Sequence, residues 1–291
     1  MIYDVFLFNN EIDLAKFRIQ YLYDVVGKFV VTEFNSTFSG KSKNYLFGNV
    51  LKQLNDPDKK IIYNACDWNQ IKTRRKENLE FFTNFTKKIP YKHGGRSPYS
   101  LHESVKREIL QRDSSIIPLI KNCSEDDIII MSDVDEFPER SFIGSLNDSY
   151  KSDDIYLNMS WRQYYLNFKV KANWYGSVVS RFKSLQHSSI DEKRYASHIK
   201  SNLPGKTVDS GWHFSYLGGA KSIRRKLNNL AYQGLRAELT RFFANISSHY
   251  LDLRIRNGDD ILNQGKEYKL LSDFDDLHQV FDSTFIKNNI K

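Results

Sequence analysis

The chain has 291 residues, 40% hydrophobic and 27% charged, a balance that excludes disorder or a fibrous repeat over most of its length. Its 43 basic and 35 acidic residues leave a formal charge of +8, which suits a phosphorylated small substrate, an anionic membrane surface or nucleic acid. Two cysteines, Cys66 and Cys123, exclude a disulfide framework and a cysteine-rich zinc site, and read as buried thiols of a reducing compartment.

In chain order, Ile2 to Phe8 is a nearly continuous apolar run, the pattern of a strand buried on both faces. Asn10 is placed to cap a helix, with Asp13 at its N3 position. Leu14, Phe17, Tyr21 and Val25 then form one apolar stripe, and Gly27 is the expected stop. Phe29 to Glu33 predicts a second strand and Ile61 to Ala65 a third. Arg74 to Phe85 and Leu101 to Arg112 predict helices. Asp127 to Ser132, with its Ile-Ile-Ile-Met core, predicts a fourth strand. From about residue 155 the pattern turns to aromatic-rich strands, at Ile155 to Tyr165, Phe168 to Lys171 and Val178 to Phe182. Helices return after Gly219, with one stripe at Ile223, Leu227 and Leu230 and another at Leu239, Phe242 and Phe243. The last fifteen residues read as a peripheral helix or tail.

Strands alternating with helices predict an α/β fold: a mostly parallel central sheet covered by helices on both faces. No linker interrupts it, so residues 1–291 are expected to form one domain. Residues 1–138 would be the half that binds a nucleotide, and 139–291 the opposite half with the C-terminal helices. Ligands of such sheets sit beyond the carboxyl ends of the strands. Those ends are Asn9-Asn10, Glu33-Phe34-Asn35, Cys66-Asp67 and Asp133-Val134-Asp135, a polar and acidic set.

The sharpest feature is Ile128-Ile129-Ile130-Met131-Ser132-Asp133-Val134-Asp135-Glu136-Phe137-Pro138. Acidic pairs such as Asp56/Asp58 and Asp273/Asp275 arise by chance, but Asp133/Asp135 directly follow a strongly apolar strand. Carboxylates gathered there repel one another, and a divalent cation relieves the repulsion. Oxygen ligands suit Mg²⁺ or Mn²⁺, which also hold substrate phosphates. The other reading is that these acids cap the next turn. His213, in Gly211-Trp212-His213-Phe214, could complete a metal shell or be a hydrogen-bonded core histidine. The basic stretch Lys221, Arg224, Arg225 and Lys226 could meet a diphosphate or form a solvated face. Arg107, Glu108, Gln111 and Arg112 place i, i+4 pairs on a predicted helix, either as surface salt bridges or as a polar edge facing the strand ends.

Several blocks in order resemble glycosyltransferase family 17. They are Ile2 to Leu14, Tyr23 to Val26, Glu33 to Lys41, Arg107-Glu108 with Gln111-Arg112, Ser132 to Pro138, and Gly211 to Ser215. This is the family of the enzyme that adds bisecting N-acetylglucosamine. The resemblance implies a GT-A-like nucleotide-diphospho-sugar transferase fold and an inverting transfer. The donor would be a UDP-sugar, UDP-GlcNAc by precedent, and the acceptor a glycan or glycoconjugate hydroxyl. Asp133, Asp135 and His213 would hold Mn²⁺ or Mg²⁺. Asn9, Asn10, Glu33, Arg107, Gln111, Arg112, Asp133 and Lys221 would bind the donor. Asp209 or Glu136 would be the base, and Trp161, Trp174 and Trp212 could stack on sugars. Tyr232 stands where the family often has a histidine.

Met1-Ile2-Tyr3-Asp4 lacks a basic n-region, and no apolar run reaches the length of a membrane span. A cytoplasmic location, with at most peripheral contact with the inner membrane face, is therefore expected, and the sequons at Asn35, Asn84, Asn122, Asn158 and Asn245 are chance. The acceptor would then belong to a bacterial or viral surface glycan. Basic residues are dispersed, so no nucleic-acid partner is expected. A metal-dependent phosphohydrolase or nuclease, and a non-catalytic basic nucleic-acid-binding protein, are the competing classes.

Overall fold

The computed structural model describes residues 1–73, 103–146, 150, 154–186, 188–198, 203, 205–229, 248–257, 259–261 and 265–290. The expected helix at 74–85 and the stripe at 239–243 lie outside the described residues, as does Leu230.

Four strands form the first half: β1 (Ile2–Phe8), β2 (Lys28–Phe34), β3 (Ile61–Cys66) and β4 (Ile128–Asp133). They lie side by side in the order β3-β2-β1-β4, all parallel. The apolar runs anticipated β1, β2 and β4 because both faces are covered, whereas β3, at the sheet edge, is only half-buried. Val5, Phe6, Val30, Val31, Ile129 and Ile130 are each at most 2% exposed. The chain leaves β1 toward β2 on one side and β4 lies on the other, so a crevice opens between the ends of β1 and β4.

The second half adds β5 (Glu136–Phe137), β6 (Ile155–Gln163), β7 (Phe168–Val170), β8 (Trp174–Arg181), β9 (Lys206–Ser215) and β10 (Tyr268–Leu270). The sheet continues β4-β8-β6-β7-β10 through antiparallel pairs, while β9 runs parallel to β6 and pairs with β5. One sheet thus carries the parallel nucleus into an antiparallel, aromatic-rich wing. Near the joint, β9 carries an irregularity. Asn158 pairs with Asp209, but Ser160 pairs with Trp212 and Trp161 with His213. Gly211 sits there at φ +87°, and a Cβ on it would fall 2.1 Å from the Phe137 carbonyl oxygen, so only glycine fits.

The helices are α1 (Ile12–Leu22), α2 (Phe47–Leu51), α3 (Trp68–Thr73), α4 (Glu103–Asp113), α5 (Ile116–Asn122), α6 (Arg140–Ser145), α7 (Ile190–His198), α8 (Gly219–Asn229), α9 (Ser248–Asn257) and α10 (Ser283–Asn288). Asn10 does not cap α1. Glu11 takes the cap position, and its carboxylate accepts the Asn9 and Asn10 N–H groups at 3.3 and 2.9 Å. The helix ends five residues before Gly27, whose N–H instead donates to the Ile2 carbonyl. The chain's end is not peripheral. Phe281 is 2% exposed and stacks edge-on against Phe17 and Phe214, and α10 buries Ile286 in the same cluster. Among the described residues no helix is long and apolar enough to cross a membrane, and both cysteines are free thiols.

Candidate active site

A cleft of about 370 Å³ opens at the β1/β4 crevice, with Asn9, Asn10, Asp133, Asp135, His213 and Lys226 among its lining residues. The floor is the turn from β4 to β5. Arg18, on α1 and 0% exposed, binds Asp4 through two hydrogen bonds of 2.8 and 2.6 Å. It also donates to the carbonyl of Glu136, which ties the turn to the helix behind it. A buried guanidinium is tolerated there because a carboxylate and peptide oxygens meet its donors.

Asp133 and Asp135 face the same cleft, each matched by cations. Arg112 from α4 reaches the Asp133 carboxylate at 3.2 and 3.4 Å, and Arg194 from α7 reaches it at 3.0 Å. Lys226 from α8 stands 2.6 Å from Asp135. Burial pushes the Asp135 carboxyl up, but Lys226 and then His213 outweigh it and hold the group well below the usual carboxylate range. Burial works to discharge Lys226, yet Asp135 more than compensates and the ammonium stays charged.

His213 is 6% exposed and lies flat against Trp174, with ring centres 4.1 Å apart. Its Nε2 faces Asp135 Oδ1 across 3.6 Å, while Nδ1 is buried without a hydrogen-bond partner. That gap is wider than a hydrogen bond, and neighbouring ligands of an octahedral Mg²⁺ or Mn²⁺ stand about 3.0 Å apart, so the pair would have to draw together around an ion. Asp135 and His213 are a carboxylate and an imidazole that face each other in the cleft, the donor types a divalent ion would use. Asp133 does not complete the set, because guanidinium groups meet both of its oxygens. Among the described residues no group of three or more His, Cys, Asp or Glu side chains is arranged for a metal.

Other expected site residues lie elsewhere. Glu33 is 0% exposed and wholly engaged: it accepts from Lys43 (2.6 Å), the Leu46 and Phe47 N–H groups (2.8 and 3.0 Å) and the Tyr63 hydroxyl (2.7 Å). It anchors the start of α2 and does not line the cleft. Arg107 packs under Gly40 and over Trp68, away from the cleft. Gln111 does line the cleft while donating to the Ser36 carbonyl at 3.3 Å. Lys221 is exposed and outside it. Five helical residues put Lys221 about 140° around the axis from Lys226, which takes the position in its stead.

Neither expected base has a free oxygen in the cleft. Glu136 is 0% exposed, with Oε1 accepting from Trp174 and Arg194 and Oε2 from Arg194 and the Asp133 N–H. Asp209 is exposed and accepts from Asn158 at 2.8 Å. The bulge at Gly211 explains this. Without it Asp209 and His213 would share a face, and one extra residue turns them to opposite faces.

Trp212 is a core residue that donates to Asp276 at 2.7 Å. Trp161 and Trp174 do line the cleft. Sequence reading missed Glu11, Arg194 and Lys266. Arg194 sits in Asp191-Glu192-Lys193-Arg194, which reads as a solvated charge run until α7 packs on β8. Nothing in the local sequence marks Lys266.

A model of glycosyltransferase family 17 matches residues 1–80 and 70–261. No curated protein matches the chain. The match spans most of the chain and includes both aspartates, Arg112, His213 and Lys226, so the chain belongs to glycosyltransferase family 17.

Proposed function

We propose that this member of glycosyltransferase family 17 is an inverting transferase of GT-A type. It would move a sugar from a UDP-sugar, UDP-GlcNAc by family precedent, to a glycan hydroxyl. The observation that carries the reading is the pairing of Asp133 and Asp135 with Arg112 and Lys226 in one cleft at the β1/β4 crevice. A plain acid cluster would repel a diphosphate. Here each carboxylate is matched by a protein cation, so the cleft can accept a phosphate-bearing ligand without large repulsion.

In this reading the donor's diphosphate lies over Arg112 and Lys226, and Asn9, Asn10 and Gln111 offer polar groups to the nucleoside and sugar. Asp133 holds Arg112 and Arg194 in place. Mn²⁺ or Mg²⁺, held by Asp135 and His213, would offset charge on the departing diphosphate. The base must come from a carboxylate that lines the cleft. Glu108 is our assignment. It faces the cleft, meets Arg112 at 2.8 Å, and burial pushes its carboxyl up more than Arg112 pulls it down. A raised carboxylate pKa suits proton removal near neutral pH.

Thermal shift with UDP, GDP and CMP, each with and without Mn²⁺, tests the reading. Stabilisation by UDP alone among the three, followed by UDP release from one UDP-sugar of a panel, is the expected outcome. No nucleotide effect, or phosphate release from simple phosphoesters, would overturn it in favour of a binding protein or a phosphohydrolase.

A further inference from the structure

Of the cations that line the cleft, Lys266 differs from the rest. Arg112 is shared among Glu108, Asp133 and Asp191, and Lys226 is bound to Asp135. Lys266 meets no carboxylate among the described residues at ion-pair distance. Its Nζ lies 4.2 Å over the Trp161 ring and donates to Gln163 Oε1 at 3.3 Å. The chain is set firmly there. Gly265 takes φ +75°, the Lys266 N–H donates to Asp260 at 3.1 Å, and β10 follows at once, paired with β7. Burial brings the ammonium down to about 8, only partly offset by Asp260.

A half-buried ammonium with no carboxylate at ion-pair distance costs stability unless a ligand supplies the missing charge. Two anions could do so: the donor's diphosphate or an acid on the acceptor. The position of Lys266 favours the second. The family match ends at residue 261, whereas a diphosphate seat belongs to what all members share, and Arg112 and Lys226 within the match already provide it. Lys266 stands over Trp161, which lies beside His213 with ring centres 5.8 Å apart.

Resting on the transferase reading, we propose that Lys266 recognises an acidic group, carboxylate or phosphate, on the acceptor sugar. Trp161 beneath it holds the ammonium over its ring and fixes where the charge meets the cleft. The acceptor class is thus an anionic glycan rather than a neutral one.

Calorimetric titration tests this with wild type, Lys266→Met and Lys266→Arg, after melting curves show that each variant is folded. UDP is titrated first. Then, with UDP present, D-glucuronate, glucose 6-phosphate and glucose are titrated in turn. The expected result is that at least one acidic sugar binds wild type about tenfold or more tighter than glucose. Lys266→Met erases that gap, Lys266→Arg keeps most of it, and UDP affinity changes less than about twofold in either variant. Equal binding of acidic and neutral sugars, or no binding of either acid, overturns the proposal while UDP binding leaves the transferase reading intact. A large loss of UDP affinity in Lys266→Met moves the residue to the donor site and also overturns it. Failure of wild type to bind UDP removes both readings together.

Discussion

Two strand ends in this sheet carry buried acids, and they have opposite fates. At the end of β2, Glu33 is consumed by Lys43, two backbone N–H groups and Tyr63. At the end of β4, Asp133 and Asp135 are met by side chains from α4, α7, α8 and β9, all converging on a cleft. The difference is topological. β2 lies between β1 and β3, where the chain can fold its own loop over the strand end. β4 borders the place where the strand order reverses, and no local loop closes it. An acid at a strand end therefore becomes a site only where the topology leaves a gap above it.

The strongest challenge to this contrast is Asp135→Asn. Loss of the charge leaves Lys226 unmatched and removes a donor to any metal, and turnover should fall by about a hundredfold or more. The melting temperature and UDP release, measured together, separate the two effects. An unchanged rate would place the chemistry elsewhere.

Glu33→Gln should do the reverse. It leaves Lys43 without its counter-charge and weakens the start of α2, costing about 1–3 kcal/mol of stability. The folded enzyme should keep its KM and nearly all of its kcat, as denaturant melts and steady-state assays would show. A selective loss of donor affinity would return Glu33 to the donor site.

A smaller effect concerns the acids behind Arg112. Burial, then Asp191, pushes Asp113 up to about 8, against the ordinary value near 4. The native state therefore holds a proton that the unfolded chain releases. Stability from this group is fully present below about pH 4 and declines as pH rises toward 8. In Asp113→Asn that decline should be absent, so stability against pH should run flatter than wild type over this window. Parallel curves would refute the assignment. Smallest of all, Asp209→Asn should leave stability within about 0.5 kcal/mol and the rate unchanged, since the side chain is exposed and faces away from the cleft.

Much of the parallel nucleus was readable because β1, β2 and β4 are buried on both faces, so apolar runs mark them directly. Asp133 and Asp135 were readable for the same reason, as charges directly following such a run. What was not readable depends on contacts distant in sequence. Asp209 and His213 are four residues apart in one strand, yet one glycine in the left-handed region turns them to opposite faces. Arg194 and Lys266 acquire their roles only when α7 and β10 pack. The last fifteen residues read as a peripheral helix or tail; a helix does form there, and Phe281 just before it fills the space between α1 and β9.

The grip of Arg18 on the β4–β5 turn has one more consequence. The guanidinium holds Asp4 on the first strand and the Glu136 carbonyl at once. The floor of the cleft is thus already immobile before a ligand arrives. The entropy of ordering it is lost during folding, so more of the binding free energy remains for aligning the reacting groups.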